Sequence, residues 1–312
     1  MEMKILTESG IEFERLELPK VTNHYPCNPS VIISGNRIMA SYRGCNYSVR
    51  EQRGFFYGSR RAAVPDSQNY IAQITDEFTC KSVDFIEDRH VRAREDCLDG
   101  LEDLRLFEWR SEIYAIGSGL NWRPRTEKAP PMQQSTMIFG KLHGRIFNPI
   151  TPFLTNQHIE KNWMPWVIAD RLYFIYAPHP LIILEYSSDE NRVKIVETKS
   201  EKALPHASGS SCMVPFDGNF VGVLHARLQM ENKVQYRHWL FLASDKFEIL
   251  AVSEEFSFEG EAVEFCAGIA VRNGDFYLSY GVFDEKAVVL KISAEKAMAF
   301  LFREDAMPLP NI

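Results

Sequence analysis

The residues best suited to chemistry in this sequence are four neighbours, Glu102-Asp103-Leu104-Arg105. Two adjacent carboxylates beside an arginine form an unequal set. Burial and like-charge repulsion raise a carboxyl pKa, and the arginine lowers it. A carboxyl group kept protonated near working pH can give its proton to a leaving oxygen. In glycosyl transfer with inversion, one such acid serves the leaving group while a nucleophile approaches the opposite face of the sugar. That nucleophile is water activated by a second carboxylate, or phosphate held by basic residues. Arg43, Arg105, Lys161 and His225 are candidate anion ligands, and Glu264 is a distant second carboxylate. No GxSxG elbow, Walker loop, GxGxxG fingerprint or convincing metal-ligand spacing is present, so neither metal nor cofactor is expected.

The elements that must position these groups recur along the chain. Each copy is an apolar run, a tight turn and a second β-rich run: Asn28–Arg43, Arg105–Gly119, Met164–Pro178, Cys212–Arg227 and Gly268–Val282. Turns are expected at Gly35-Asn36, Arg110-Ser111, Asp170-Arg171, Asp217-Gly218 and Asn273-Gly274, spaced 75, 60, 47 and 56 residues apart. Asp-Gly and Asn-Gly are strong hairpin signals because both positions accept positive φ. A further β-rich stretch follows each hairpin (Tyr70–Thr75, Ser135–Leu142, Leu181–Ser187, His238–Ser244, Ala287–Ser293), and a fourth run follows in three copies (Arg145–Phe153, Arg192–Glu197, Phe247–Val252). Four strands in each of five units describe an all-β, five-bladed β-propeller, a single domain over residues 1–312. A two-sheet sandwich, the alternative, shows turn signals about every 8–12 residues without the longer period. Helical periodicity is confined to Ala294–Phe302.

In such a blade the start of the first run and the end of the second open on one face. The starts carry Asn28, Glu102-Asp103 with Arg105, Lys161-Asn162, Ser210-Ser211 and Glu264. The ends carry Arg43, Asn121, His179, His225 and Tyr280 with Asp284. Asp103 is the expected catalytic acid, and Asn28, Arg43, Arg105, Lys161, Asn162, His179, His225, Glu264 and Tyr280 are the expected substrate ligands. Taken singly, each has a plainer role: a solvated acidic pair, a surface lysine, satisfied structural histidines, a packed tyrosine. The inserts Val49–Asp66, Arg89–Gly100 and Trp122–Met132 read as long loops. Their Arg50, Arg53, Arg60, Arg61, Arg123, Arg125 and Lys128 either hold a sugar phosphate or nucleotide sugar or form a solvated face.

A net charge of −7 argues against a nucleic-acid partner. No run approaches the roughly 18 apolar residues of a membrane span. The N-terminal stretch lacks an apolar signal core, and the six cysteines form no CxxC pair. Reduced thiols in a cytoplasmic protein are the expectation.

Gly100–Phe107 (GLEDLRLF) resembles the Glu-Asp-Pro-Arg motif of the β-mannoside phosphorylase and hydrolase family. NPSVI at Asn28, EKNW at Glu160–Trp163 and VPFDGNFVGVLHA at Val214–Ala226 fit the same pattern in order. The likeness runs from Asn28 to Ser293 but is specific only in those patches. It implies a five-bladed propeller, Asp103 as general acid, and Arg105 as the arginine of the motif. Lys161 and His225 stand where phosphorylases place phosphate-contacting basic residues. Leu104 departs from the motif's proline, and a full set of phosphate ligands cannot be placed. Related mannosyltransferases share the fold. The leading expectation is an enzyme that makes or breaks a glycosidic bond, with a carbohydrate, sugar-phosphate or nucleotide-sugar ligand. The alternative is a non-catalytic propeller that binds a glycan or protein; the oligomeric state is open.

Overall fold

A computed structural model describes residues 3–46, 67–92, 100–121, 134–150, 160–199, 207–230 and 233–302. The turns set the local structure. Asp217-Gly218, Asn273-Gly274 and even Arg110-Ser111 place both central residues at positive φ, while Gly35 takes it for the first hairpin. These primed turns match the twist of the strands they join. The third turn is Ala169-Asp170, one residue earlier than expected, because Ile168 pairs with Arg171 and both turn residues are left-handed.

The hairpins grow into antiparallel sheets arranged as a propeller. The first sheet orders Tyr25–Ser34, Arg37–Cys45, Ser67–Ile74 and Cys80–Phe85. The second orders Leu101–Trp109, Glu112–Asn121, Gln134–His143 and Ile146–Ile150. The third orders Met164–Ile168, Arg171–Pro178, Leu181–Ser187 and Arg192–Lys199. In the fourth, Ser208–Gly209 and Val214–Phe216 both pair with Asn219–Met230, followed outward by Lys233–Ala243 and short edge strands. The fifth runs Glu264–Arg272, Asp275–Val282 and Lys286–Ser293. Its outermost strand is Phe13–Glu17 from the chain start, which pairs with Lys286–Ser293. Lys4–Ile5 meanwhile pairs with Phe256–Ser257 of the fourth sheet. The N-terminal segment thus ties two sheets together, a role its sequence did not announce.

Buried apolar clusters lie between successive sheets, and one also joins the fifth to the first through Val31, Ala40, Tyr277 and Val289. The side chains on the two faces of each sheet enter different clusters, as strand alternation requires. Ala294–Leu301 is helical, capped by the Ser293 hydroxyl accepting from Lys296 N–H, and buries Ala297, Met298 and Leu301. No helix among the described residues is long and apolar enough to cross a membrane. The expected loops Val49–Asp66 and Trp122–Met132, with their arginines, lie outside the described residues, as does residue 97.

Candidate functional site

Three residues that leave the regular strand conformation build the site. Asn28, Asp103 and Asn162 have φ of 47°, 55° and 65°. Asparagine and aspartate tolerate this left-handed region better than most residues. At the first two, strand pairing slips, between Cys27 and Ser30 and between Glu102 and Arg105. Each slip is a β-bulge, a device that re-aims side chains near the end of a strand. Both bulges need a bare backbone opposite. A Cβ on Gly281 would stand 2.2 Å from Asn28 Oδ1, and one on Gly117 would stand 2.8 Å from the Glu102 carbonyl.

The bulges bring two sheets' polar groups into one network. Asn28 Nδ2 donates to Asp103 Oδ1 at 2.8 Å. Arg43 Nη1 reaches Glu102 Oε1 at 2.7 Å and Asp103 Oδ1 at 3.4 Å, while its Nε donates to Ser67 Oγ at 2.9 Å. Lys161 Nζ donates to Glu102 Oε2 at 2.7 Å. Both Glu102 oxygens are therefore held by cations. Asp103 is bonded only through Oδ1; its Oδ2 has no partner among the described residues. The Asp103 side chain keeps 18% exposure, so Oδ2 is accessible to a ligand.

Arg105 lies beside this network. Its Nη2 donates to Asn162 Oδ1 at 2.8 Å and its Nη1 to the Trp163 carbonyl at 3.3 Å. Its Nε is buried without a partner, and no carboxylate lies within ion-pair distance among the described residues. The guanidinium carbon stands 6.0 Å from the Phe265 ring centroid. His225 packs edge-on against that ring and parallel to Tyr236, with its Nδ1 buried and unpartnered.

The charges separate the two carboxylates. Burial would raise Glu102, but Lys161 and Arg43 overcome it and pull its pKa down to about 2. Asp103 moves the other way: burial and then the Glu102 charge raise it, against Arg43, the Asn28 hydrogen bond and Arg105. Asp284 joins the same electrostatic group. Burial lifts its carboxyl to about 6 despite Arg43, with Asp103 and Glu102 adding to the rise. Burial also lowers Arg105, because no direct ion pair compensates it. His225 is held well below its ordinary value by burial, with His238 and Arg105 adding to the effect, so its imidazole is neutral near pH 7. Adjacent carboxylates whose pKa values are pushed apart are suited to different tasks, the raised one to carrying a proton and the lowered one to staying an anion.

The structure thus brings Asn28, Arg43, Asp103 and Lys161 into one network with Glu102, in which Arg43 bridges the two carboxylates, with Arg105, Asn162 and His225 alongside. Two expectations need correction. Glu264 does not open on the mouth: its carboxylate is fully buried and accepts from the backbone N–H groups of Phe258, Glu259 and Glu261 at 2.7, 2.7 and 3.0 Å. It holds a turn. Tyr280 is fully buried too, stacked on Phe258 at 4.1 Å, with its hydroxyl donating to Glu259. Strand alternation sends Tyr280 into the inter-sheet core, and Asp284, just beyond the strand end, belongs with the site instead. His179 sits half-buried in the connection between Arg171–Pro178 and Leu181–Ser187. Ser210 and Ser211 donate to the carbonyls of Cys266 and Cys212. Tyr236 and Ser67 were missed, because nothing local marks a strand tyrosine or serine as site-facing.

A cavity of about 440 Å³ lies at the turn ends of the inner strands. Its lining is apolar apart from Glu108, so it is not the site of the ionisable cluster. Residues of all five sheets line it, including Val31, Leu106, Val167, Met213 and Ile269.

No protein-family model matches the sequence, and no curated protein does. Solved structures match its fold. A mannose phosphorylase from Leishmania mexicana, determined with phosphate ion, superposes with a TM-score of 0.63 at 15% identity, covering 91% of this chain and 88% of that one. β-1,2-Mannobiose phosphorylase from Listeria innocua, in complex with β-1,2-mannobiose, gives 0.60 at 12% identity over 93% of both chains. The chain shares its propeller architecture with mannoside phosphorylases and glycoside hydrolases.

Proposed function

We propose that this protein is a carbohydrate-active enzyme that breaks a mannosidic bond by phosphorolysis with inversion, or makes one by the reverse reaction, and that Asp103 is its general acid. One observation carries the reading. Asp103 is a carboxyl group with a raised pKa, a free and accessible Oδ2, and beside it a carboxylate that stays ionised near neutral pH. Asp103 Oδ2 would give its proton to the glycosidic oxygen as the bond from that oxygen to the anomeric carbon breaks. A phosphate oxygen would bond to the opposite face of that carbon. With Asp103 protonated, the three cations Arg43, Arg105 and Lys161 stand against the Glu102 and Asp284 carboxylates among the described residues, a balance that favours an anionic ligand. The unpartnered nitrogens of Arg105 and His225 favour the same conclusion, since buried polar atoms ordinarily find partners. Phosphate and mannobiose in two structurally similar proteins supply the substrate class.

The lining of the apolar cavity by all five sheets supports a single five-bladed ring around one axis. The experiment is an incubation with β-mannosides, with and without inorganic phosphate. Phosphate-dependent release of a mannose 1-phosphate supports the reading. Equal release of free sugar in both tubes points to hydrolysis, and no turnover with any glycoside overturns the enzymatic reading.

A further inference from the structure

Next to the acid's hydrogen-bond donor, Cys27 and Cys45 place their sulfurs 2.9 Å apart. Both side chains are fully buried and form a small cluster of their own. They meet diagonally across the first sheet's inner strand pair, where Cys27 is opposite Arg43 and Cys45 is opposite Tyr25. Cys212 and Cys266 are also buried, but their thiols donate to the carbonyls of Leu106 and Gly268. Only the first pair faces another sulfur among the described residues.

We propose that Cys27 and Cys45 are an oxidative modification site, converted by a small hydroperoxide into a disulfide that cross-links the strands carrying Asn28 and Arg43. The sulfurs need to close by about 0.9 Å to reach the bond length of about 2.05 Å. One thiolate attacks a peroxide oxygen; the S–O bond forms, the O–O bond breaks, and hydroxide leaves as water. The second thiol then displaces the sulfenic oxygen, forming the S–S bond and releasing a second water. In sum, two thiols and hydrogen peroxide give a disulfide and two waters. Burial excludes a protein oxidoreductase and slows the first step, since it raises the Cys27 thiol, with Cys45 adding and Arg43 opposing. The oxidant must therefore be small.

Closure acts where the site is built. Cys27 precedes Asn28, whose amide holds Asp103, and Cys45 lies two residues after Arg43, which holds Glu102. Drawing the sulfurs together shifts the bulge between Cys27 and Ser30. An effect on turnover rests on the function proposed above; formation of the disulfide does not.

The test treats the full chain with hydrogen peroxide, alkylates it under denaturing conditions and digests it with trypsin. Peptide Val21–Arg37 should appear joined to Gly44–Arg50, lighter than their sum by the two hydrogens lost, and dithiothreitol should separate them. Cys45→Ser should never give the joined peptide. Full alkylation of both cysteines after peroxide would overturn the proposal. Turnover of the oxidised wild type should fall about tenfold, the worth of one misplaced hydrogen bond to a charged group, and recover on reduction. A disulfide that leaves turnover unchanged would overturn the link to the site. If no glycoside is turned over at all, the peptide masses still decide the modification.

Discussion

Glu102 and Asp103 are chain neighbours whose carboxylates share one arginine: Arg43 Nη1 reaches Glu102 at 2.7 Å and Asp103 at 3.4 Å. Successive side chains of a regular strand point to opposite faces. Here the left-handed φ of Asp103 and the slipped pairing bring both carboxylates to the same cation. Two oxygens of Glu102 are occupied by Arg43 and Lys161, while one oxygen of Asp103 stays open. The bulge therefore gives two adjacent carboxylates unlike surroundings.

Asp103→Asn keeps the side-chain shape and removes the proton. Turnover of a mannoside should fall by about 10²–10⁴-fold, the usual share of general acid catalysis. The melting temperature should hardly move, since the side chain is part-exposed and not in an inter-sheet cluster. Full activity in a normally folded Asp103→Asn protein would refute the mechanism.

Glu102→Gln removes the like charge that, after burial, raises the Asp103 pKa. The Asp103 pKa should drop, so the alkaline limb of the kcat/KM profile should move to lower pH. Arg43 and Lys161 also lose their shared anion, at a stability cost of about 1–3 kcal/mol. An unmoved alkaline limb would show that Glu102 does not set the acid's protonation.

Much of this arrangement was legible in the sequence because primed turns and apolar runs are local signals. All five hairpins form, and Ala294–Leu301 is the helix expected near the C-terminus. The N-terminal strands were not legible, since Phe13–Glu17 is largely exposed and is fixed by a partner near the other end of the sequence, as in the Phe13–Ile292 pairing. Within the candidate site, the expected convergence of Asp103 and Lys161 is met, since both join one network through Arg43 and Glu102. Glu264 and Tyr280 were misplaced because side-chain direction at a strand end depends on bulges, and the slip between Cys266 and Gly268 has no local marker.

His238 gives a pH signature for the fourth sheet. It is fully buried against Phe256 and Phe258, and burial lowers its pKa from 6.5 to about 3. Below pH 6.5 the unfolded chain takes up a proton that the folded chain refuses. Stability from this group is thus complete above pH 6.5 and is lost as pH falls toward about 3, at about 1.4 kcal/mol per pH unit. Asp284 and Glu264, raised to about 6 and about 7, slope the other way. Urea unfolding of wild type and His238→Phe at several pH values cancels those terms. The variant should lose less stability on acidification, and parallel curves would contradict the assignment.

Gly281→Ala tests whether the Asn28 bulge matters. The added Cβ would meet Asn28 Oδ1 at 2.2 Å and its backbone nitrogen at 2.6 Å, so backbone must move. A stability loss of about 1–3 kcal/mol is expected from overpacking. Turnover at a temperature where the variant is fully folded should also fall, because Asn28 can no longer hold Asp103. Unchanged turnover would make the bulge structural only.

Arg105 separates binding from stability. The residue is 1% exposed, holds Asn162 and the Trp163 carbonyl, and has no directly paired carboxylate among the described residues. A buried charge without a partner is costly, and replacing it with an apolar side chain of similar length is often neutral or stabilising. Arg105→Met should therefore keep or raise the melting temperature in phosphate-free buffer. Phosphate raises the wild-type melting temperature by linkage if it binds the folded chain. In Arg105→Met that rise should vanish, and the KM for phosphate should climb by about tenfold or more, from loss of a charge-assisted hydrogen bond. Calorimetry and thermal melts on the same two proteins decide it. A variant that still binds phosphate at wild-type affinity would remove Arg105 from the anion site, and a variant that melts far lower would show the guanidinium to be a structural strut instead.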